Sequence, residues 1–283
     1  MALVNMTAML QAARDGGYAV GAFNIVDYNS TAAAVRAAEA LKAPIIVQVS
    51  VKTVTFWGAA ALAGWIRQVA GESPVPVAYH LDHCRDVDVV RECIDAGWTS
   101  VMIDASHLPY EENLALTRQV CALAAPAGVS VEAEMGAIVG VEDDIFVTQR
   151  DAHLADVDQA EAFCREVDLA VFAPAIGTAH GVYKGTPEIS YDRLAEIARR
   201  TGLPIALHGG TGLDDATFKR CIELGCAKVN ISTALKYAFI DAFVDYHVAQ
   251  RKYEPLKPLQ AQYDAVYALV SDNIRLFGSA GKA

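Results

Sequence analysis

Short runs of apolar, β-prone residues alternate along the chain with longer segments whose apolar positions recur at helical spacing. Eight such runs stand out: Ala19–Phe23, Pro44–Val49, Val75–Leu81, Ser100–Ile103, Val129–Glu134, Leu169–Ala173, Pro204–Leu207 and Ala227–Ile231. Each reads as near-continuously apolar, the pattern of parallel strands covered by helices. Among the intervening segments, Asn29–Leu41 carries Ala, Val and Leu on one stripe. Asp88–Ala96 and Asp214–Leu224 run into Gly97 and Gly225, which suit helix C-termini. Eight strand–helix alternations without a low-complexity linker predict an α/β fold of the (β/α)8 TIM-barrel type, read as one domain over residues 1–283. An open doubly wound sheet is the alternative, because periodicity alone does not close a sheet. The tail, about residues 253–283, adds a helical stretch, Leu259–Arg275, beyond a minimal barrel. It is either a helix packed under the barrel or an arm at a subunit interface.

Composition narrows the partners. The 283 residues include 23 basic and 34 acidic side chains, a net charge of −11 that argues against nucleic acid. Hydrophobic residues make up 53%, yet no stretch of about 20 residues lacks charge, and Met1–Thr7 has neither a basic start nor an apolar run. These features predict a cytoplasmic protein without membrane spans. Cys84, Cys93, Cys121, Cys164, Cys221 and Cys226 form no C-x-x-C pair and suit reduced thiols.

Catalytic groups of a barrel project from the C-terminal ends of its strands. Here the third run ends in Leu81-Asp82-His83, the fourth in Ile103-Asp104-Ala105-Ser106 and the fifth in Glu132-Ala133-Glu134. The sixth leads into Gly177-Thr178-Ala179-His180-Gly181, the seventh into His208-Gly209-Gly210-Thr211-Gly212, and the eighth into Asn230-Ile231-Ser232-Thr233. His83, His180 and His208 thus occupy corresponding rim positions on three strands. Each alone is more readily a hydrogen-bonded rim residue, but together they favour a catalytic Zn²⁺ site with three protein ligands and an open position. His80, His107, His153 and His247 read as packing or surface residues, with His80 and His107 near enough to orient a ligand.

The glycines point to an anion. Gly181, Gly209, Gly210 and Gly212 let backbone N–H groups approach closely, and the loops after strands seven and eight are the usual phosphate site of this architecture. Ser232 and Thr233 would add hydroxyls and amides at a helix N-terminus. Lys184 is either a solvated loop charge or an anion clamp. Asp82 suits general acid–base work on a substrate hydroxyl, or orients a histidine. Glu142 lies in a long connection, Gly136–Arg150, that reads as a lid; it is either a mobile base or part of a solvated acidic run. Asp104 and Glu134 point toward the same mouth, to hold a further cation or the histidines.

With these residues in view, the chain resembles the class II, zinc-dependent fructose- or tagatose-bisphosphate aldolases over its whole length. The carriers are Gly21-Ala22-Phe23-Asn24, Leu81-Asp82-His83, Met102–His107, Val131–Gly136, Gly177–Gly185, Leu207–Gly212, Lys228-Val229-Asn230 and the ending Ile274–Ala283. The resemblance implies that His83, His180 and His208 bind zinc and that Asp82 exchanges the proton of the C4 hydroxyl. It implies that Glu142 handles the C3 proton, that Asn230 stabilises the enediolate, and that Asp104 and Glu134 can take a second metal ion. Gly181, Gly209, Gly210, Thr211, Asn230, Ser232 and Thr233 would hold dihydroxyacetone phosphate, helped by a monovalent cation, Na⁺ or K⁺. Asn24, Ser50 and Lys184 complete the implied substrate-binding set, and the family is usually dimeric or tetrameric. The chemistry is coherent: cleaving C3–C4 of a ketose phosphate leaves an enediolate whose charge a chelated Zn²⁺ offsets, so no Schiff-base lysine is required.

Two departures bear on the substrate. Val139-Gly140-Val141 offers one glycine before the loop glutamate where the family commonly has two. Counting back from the C-terminus, Tyr263 stands where bisphosphate aldolases often carry an arginine for the second phosphate. Lys52, Arg251 or Lys252 could substitute, or the aldehyde half carries no phosphate or a different group. A zinc hydrolase on a barrel is a rival, but its usual H-x-H first strand is replaced here by Gly21-Ala22-Phe23-Asn24. A non-catalytic phosphosugar-binding protein would not need Asp82 and Glu142.

Overall fold

The computed structural model describes residues 3–136, 139–142, 145–147, 153–181 and 188–283, with the backbone alone described for 139–142, 145–147 and 180. The first half runs α1 (Met6–Gly16), β1 (Val20–Asn24), α2 (Tyr28–Ala40), β2 (Ile45–Ser50), α3 (Val51–Trp57), α4 (Ala59–Ala70), β3 (Val77–Cys84), α5 (Val87–Asp95), β4 (Ser100–Ile103), α6 (Tyr110–Ala124) and β5 (Ser130–Met135). The second half continues with β6 (Val139–Glu142), β7 (Ile145–Val147), α7 (Val157–Glu166), β8 (Val171–Pro174), β9 (Ala179–His180), α8 (Tyr191–Thr201), β10 (Ile205–Leu207), α9 (Asp215–Glu223), β11 (Cys226–Ile231), α10 (Thr233–Gln250) and α11 (Leu256–Leu276). The sheet is a closed parallel barrel in the order β1-β11-β10-β8-β5-β4-β3-β2. Its eight strands fall on the eight apolar runs, and the pairing of β1 with both β2 and β11 removes the open-sheet alternative. Side-chain caps set several helix starts. Asp27 and Ser30 form a reciprocal capping box on α2, and Asp214 accepts from the Thr217 amide at the start of α9.

The strands are not apolar on both faces, and this corrects the reading of continuous apolar runs. Outward residues such as Phe23, Val47, Tyr79, Leu81, Phe172 and Val229 pack under the helices as one cluster. Inward residues divide by height. At the N-terminal end of the strands, Val20, Ala22, Ile46, Ala78, Val171, Ala173 and Ala206 pack with Met6, Met9, Leu10 and Ala13 of α1. Higher up, the inward positions are Asn24, Gln48, His80, Asp82, Glu132, Lys228 and Asn230, all buried and all polar. Alternation across a strand supplies both sets from one sequence.

Helix α1 lacks a counterpart in the pattern analysis. It closes the N-terminal end of the barrel, tied down by the Val4 amide donating to the Val77 carbonyl and the Met6 amide donating to Ser130 Oγ. The C-terminal helix α11 does not lie under the barrel. It joins the outer helical layer between α10 and α2, burying Val266, Val270 and Ile274, while Gln262 Nε2 donates to the Phe239 carbonyl at 2.7 Å. The Ala19 amide donates to the Phe277 carbonyl, fastening the end of α11 to the start of β1.

Because Leu10 is fully buried where α1 closes the barrel, Leu10→Ala is expected to cost about 2–5 kcal/mol of unfolding free energy. Urea denaturation would report this as a lower midpoint at constant slope. An unchanged midpoint would mean that α1 contributes nothing to the stability of the barrel.

Candidate active site

Two of the three histidines singled out in the sequence converge. The His83 and His208 ring centroids are 4.6 Å apart. Strand alternation by itself would send Asp82 and His83 to opposite faces of β3. The pairing with β4 shifts register between Leu81 and Cys84, inserting one extra residue in β3, and His83 takes the left-handed conformation, with φ of 46°. This bulge turns both side chains toward the mouth of the barrel. A non-glycine residue in that backbone region stores strain, which here accompanies a functional position.

Carboxylates orient both rings. His83 donates from Nδ1 to Asp104 Oδ2 at 3.0 Å, and His208 donates from Nδ1 to Glu134 Oε2 at 2.9 Å and from Nε2 to Glu132 Oε1 at 2.8 Å. Burial alone would lower the His208 imidazole, but its hydrogen bonds to Glu132 and Glu134 push it up to about 9. Burial also opposes the charge on Asp104, yet the hydrogen bond and charge of His83, with Ser106 and Arg85, hold that carboxyl well below the usual range. Ligand atoms of His83, Glu134 and His208 lie within 4.8 Å of one another. Two imidazoles and a carboxylate are the donor types of a borderline divalent cation, so the residues fit a metal of the zinc kind. Such an ion takes imidazole in its neutral form.

Beside this cluster, Asp82 accepts from Asn24 Nδ2 at 2.7 Å and from Asn230 Nδ2 at 3.2 Å. Below it, Glu132 faces Lys228 Nζ at 3.0 Å and His80 Nε2 at 3.2 Å, and His80 Nδ1 meets Ser100 Oγ at 2.8 Å. Burial lowers the His80 imidazole more than the Glu132 hydrogen bond raises it. Burial likewise works against the Glu132 charge, but Lys228 and the two imidazoles hold its carboxyl well below the ordinary value.

A small pocket opens next to Asn230, lined also by Gly181, Gly209, Gly210, Thr211, Ser232 and Thr233. These are the residues expected to hold a phosphate. Gly209 has φ of 68°, and a Cβ there would sit 2.4 Å from the Ala179 carbonyl oxygen, so only glycine lets this turn approach β9. Thr211 Oγ1 accepts from the Ala234 amide in the first turn of α10. Ser232 Oγ is buried and has no hydrogen-bond partner among the described residues. It stands at the N-terminus of an 18-residue helix, where backbone N–H groups and the helix dipole favour an anion.

Other expected residues are placed in part. The backbone of Glu142 ends β6, which pairs antiparallel with β7 and parallel with β9, setting Gly140 opposite His180. The expected lid therefore carries a short hairpin docked on the segment that bears the third histidine. The side chains of Glu142 and His180 lie outside the described residues, as does Lys184. Ser50 is buried at the end of β2, with Oγ 3.4 Å from Thr53 Oγ1. His107 and His153 are exposed, and His247 packs against Tyr253. Tyr263, on α11, stacks with Tyr267 at 6.3 Å between centroids. Gln48, Glu132 and Lys228 were not anticipated in any role. Their signal was a polar residue at alternate positions of an otherwise apolar strand, which marks the inward face once closure is known.

The comparisons agree with this geometry. The model of the family described as "Fructose-bisphosphate aldolase class-II" matches residues 4–282. The chain is similar to the "Probable fructose-bisphosphate aldolase" of Bacillus subtilis, 40% identical over 287 residues and covering 100% of both chains. It is also similar to the "Sulfofructosephosphate aldolase" of Alkalicoccus urumqiensis, 38% identical over 291 residues, covering 100% of this chain and 99% of the relative. Among solved structures, the YdjI aldolase of Escherichia coli K12 superposes with a TM-score of 0.88 at 30% identity, covering 99% of each chain.

Gly209→Ala is expected to destabilise the protein by more than about 1 kcal/mol, because alanine must adopt a positive φ. It should also weaken binding of inorganic phosphate measured by calorimetry. Wild-type stability with unaltered phosphate binding would show that the turn relaxes without cost.

Proposed function

Since the chain belongs to the class II fructose-bisphosphate aldolase family, we propose that it is a zinc-dependent lyase acting on a ketose 1-phosphate or 1,6-bisphosphate. Cleavage is reversible and yields dihydroxyacetone phosphate and an aldehyde such as glyceraldehyde 3-phosphate. One observation carries the reading: Asn230 both lines the glycine-rich anion pocket and donates to Asp82 beside the His83–His208 cluster. A single substrate can thus present its phosphate to the pocket and its reacting carbons to the carboxylate.

In this reading His83, His208 and His180 hold Zn²⁺, while Asp104 and Glu134 orient the imidazoles or take a second ion. When bound, the metal supplies a Lewis acid that offsets the negative charge developing on the dihydroxyacetone phosphate half. Asp82 accepts the C4 hydroxyl proton in the cleavage direction and returns it in condensation. Glu142 exchanges the C3 proton, and the Asn230 amide hydrogen-bonds the oxygen on which charge develops. Gly181, Gly209, Gly210, Thr211, Ser232 and Thr233 hold the phosphate, with Lys184 as a clamp and a monovalent cation, Na⁺ or K⁺, beside it. The Ser232 hydroxyl, without a hydrogen-bond partner among the described residues, supports this assignment. Asn24 and Ser50 contact the sugar hydroxyls.

We read the protein as a single barrel domain of the cytoplasm; no helix among the described residues is long and apolar enough to cross a membrane. The exposed apolar side chains of Tyr237, Ile240, Phe243, Val244 and Val248 along α10 support a homodimer or homotetramer. A second reading concerns the aldehyde half: a ketose 1-phosphate whose distal end carries no phosphate. Tyr263 in place of a cationic residue favours it, and the nearby Arg36 is already paired with Glu39.

Treatment with a chelator is expected to abolish dihydroxyacetone phosphate release, and Zn²⁺ to restore it. Cleavage by metal-stripped protein, or a lysine adduct trapped by borohydride, would reject the metal mechanism. Asp82→Ala should lower turnover by about 10²–10⁴-fold with metal content retained; loss of zinc instead would assign Asp82 a structural role. Over a panel of ketose phosphates, substrates with uncharged tails should compete well with bisphosphates, and a strong preference for bisphosphates would eliminate the second reading.

A further inference from the structure

The two amides that hold Asp82 are themselves oriented from deeper in the barrel. A carboxylate only accepts, so it meets the NH2 end of each asparagine. The opposite, carbonyl end needs a donor to keep the amide from turning over. Gln48 Nε2 donates to Asn24 Oδ1 at 2.7 Å, and Lys228 Nζ donates to Asn230 Oδ1 at 2.6 Å. An ammonium group has donors and no acceptor, so Lys228 enforces one orientation of Asn230 whatever its own torsions.

Lys228 Nζ also lies 3.0 and 3.2 Å from the two oxygens of Glu132, and Glu132 accepts from His208 Nε2. Both members of this ion pair have no exposure to solvent. Sealing an ion pair in a barrel interior costs free energy that a well-packed apolar pair of the same volume would not. Neutralising Glu132 accounts for one of the two partners of the ammonium, and the short bond to Asn230 is left over.

We propose that Lys228 is a positioning residue for the aldol reaction. From beneath the site it holds the Asn230 amide with its hydrogens toward Asp82, and it anchors the carboxylate that orients His208. The inference rests on the reading of Asp82 as the proton-transfer group. Without the ammonium, the Asn230 carbonyl can turn toward Asp82 and toward the position of the developing oxyanion, where it repels rather than donates. Lys228 makes this contribution without touching the substrate.

The test compares two charge-balanced holoenzymes, Lys228→Met/Glu132→Gln and Lys228→Gln/Glu132→Gln, which differ in whether residue 228 offers an N–H donor to Asn230. Bound metal, thermal unfolding, and kcat and KM for dihydroxyacetone phosphate release are measured for both, for wild type and for Asp82→Asn. The two double variants are expected to match each other in bound metal and thermal unfolding, since both lack the Glu132 carboxylate, while kcat of the methionine variant falls about 10- to 100-fold, the usual cost of losing a group that orients a catalytic residue. KM should change little, since the interaction matters where charge develops. The glutamine variant should recover much of the lost kcat. Equal kcat in the two double variants, whether both fast or both slow, would overturn the inference. Wild-type kcat in Asp82→Asn would instead overturn the reading beneath it, a distinct result because Asp82→Asn is slow when only the role of Lys228 fails.

Discussion

Ionised groups sealed inside a closed barrel persist only where each finds a counter-charge or a donor. Asp82, Asp104, Glu132 and Glu134 are all at most 2% exposed, and Lys228 is the one lysine in that layer among the described residues. These four carboxyl groups share the layer with a single ammonium group and the imidazoles of His80, His83 and His208. A divalent ion near His83, Glu134 and His208 would offset part of that acidity. This gathering of buried carboxyl groups around two imidazoles supports the proposed metal site independently of any relative.

The same constraint explains how the barrel is layered. Small apolar side chains and α1 seal the N-terminal end, so water does not reach the charged layer from below. Above it, amides and hydroxyls occupy the remaining inward positions, and their hydrogen bonds run continuously from Gln48 through Asn24, Asp82, Asn230, Lys228 and Glu132 to His208. Within it, turning the Asn24 or Asn230 amide breaks bonds at both of its ends, which holds these two groups in one orientation. Rigidity suits a site whose donors must already face the place where charge will develop.

In the proposed function, phosphate recognition is separated from this layer in space and in kind. It would rely on backbone amides and hydroxyls at the start of α10 and on the close approach of Gly209 to β9, while bond cleavage would rely on buried side chains. Asn230 joins the two regions. The breadth of substrates among similar chains, which include a fructose-bisphosphate and a sulfofructosephosphate aldolase, fits that division. The phosphate pocket and the charged layer can stay constant while the residues around the aldehyde half vary.

Sequence pattern by itself was sufficient for the eight barrel strands, four of the helices (α2, α5, α9 and α11), the glycines that line the small pocket and the convergence of His83 and His208. These are local properties: a strand needs β-prone residues, a cap needs its donor or its glycine, and the ends of strands mark the mouth. Closure of the sheet, the docking of α1 beneath it and the place of α11 beside α2 depended on contacts between distant segments, for which a single chain carries no local signal. The roles of Gln48, Glu132 and Lys228 were hidden for the same reason, since a polar residue in an apolar strand acquires meaning only when its facing partners are known. Asp82 and His83 make the difference plain. Their adjacency predicts opposite faces, and only the extra residue in β3, forced by pairing with β4 and accommodated by the left-handed backbone of His83, brings both into one site.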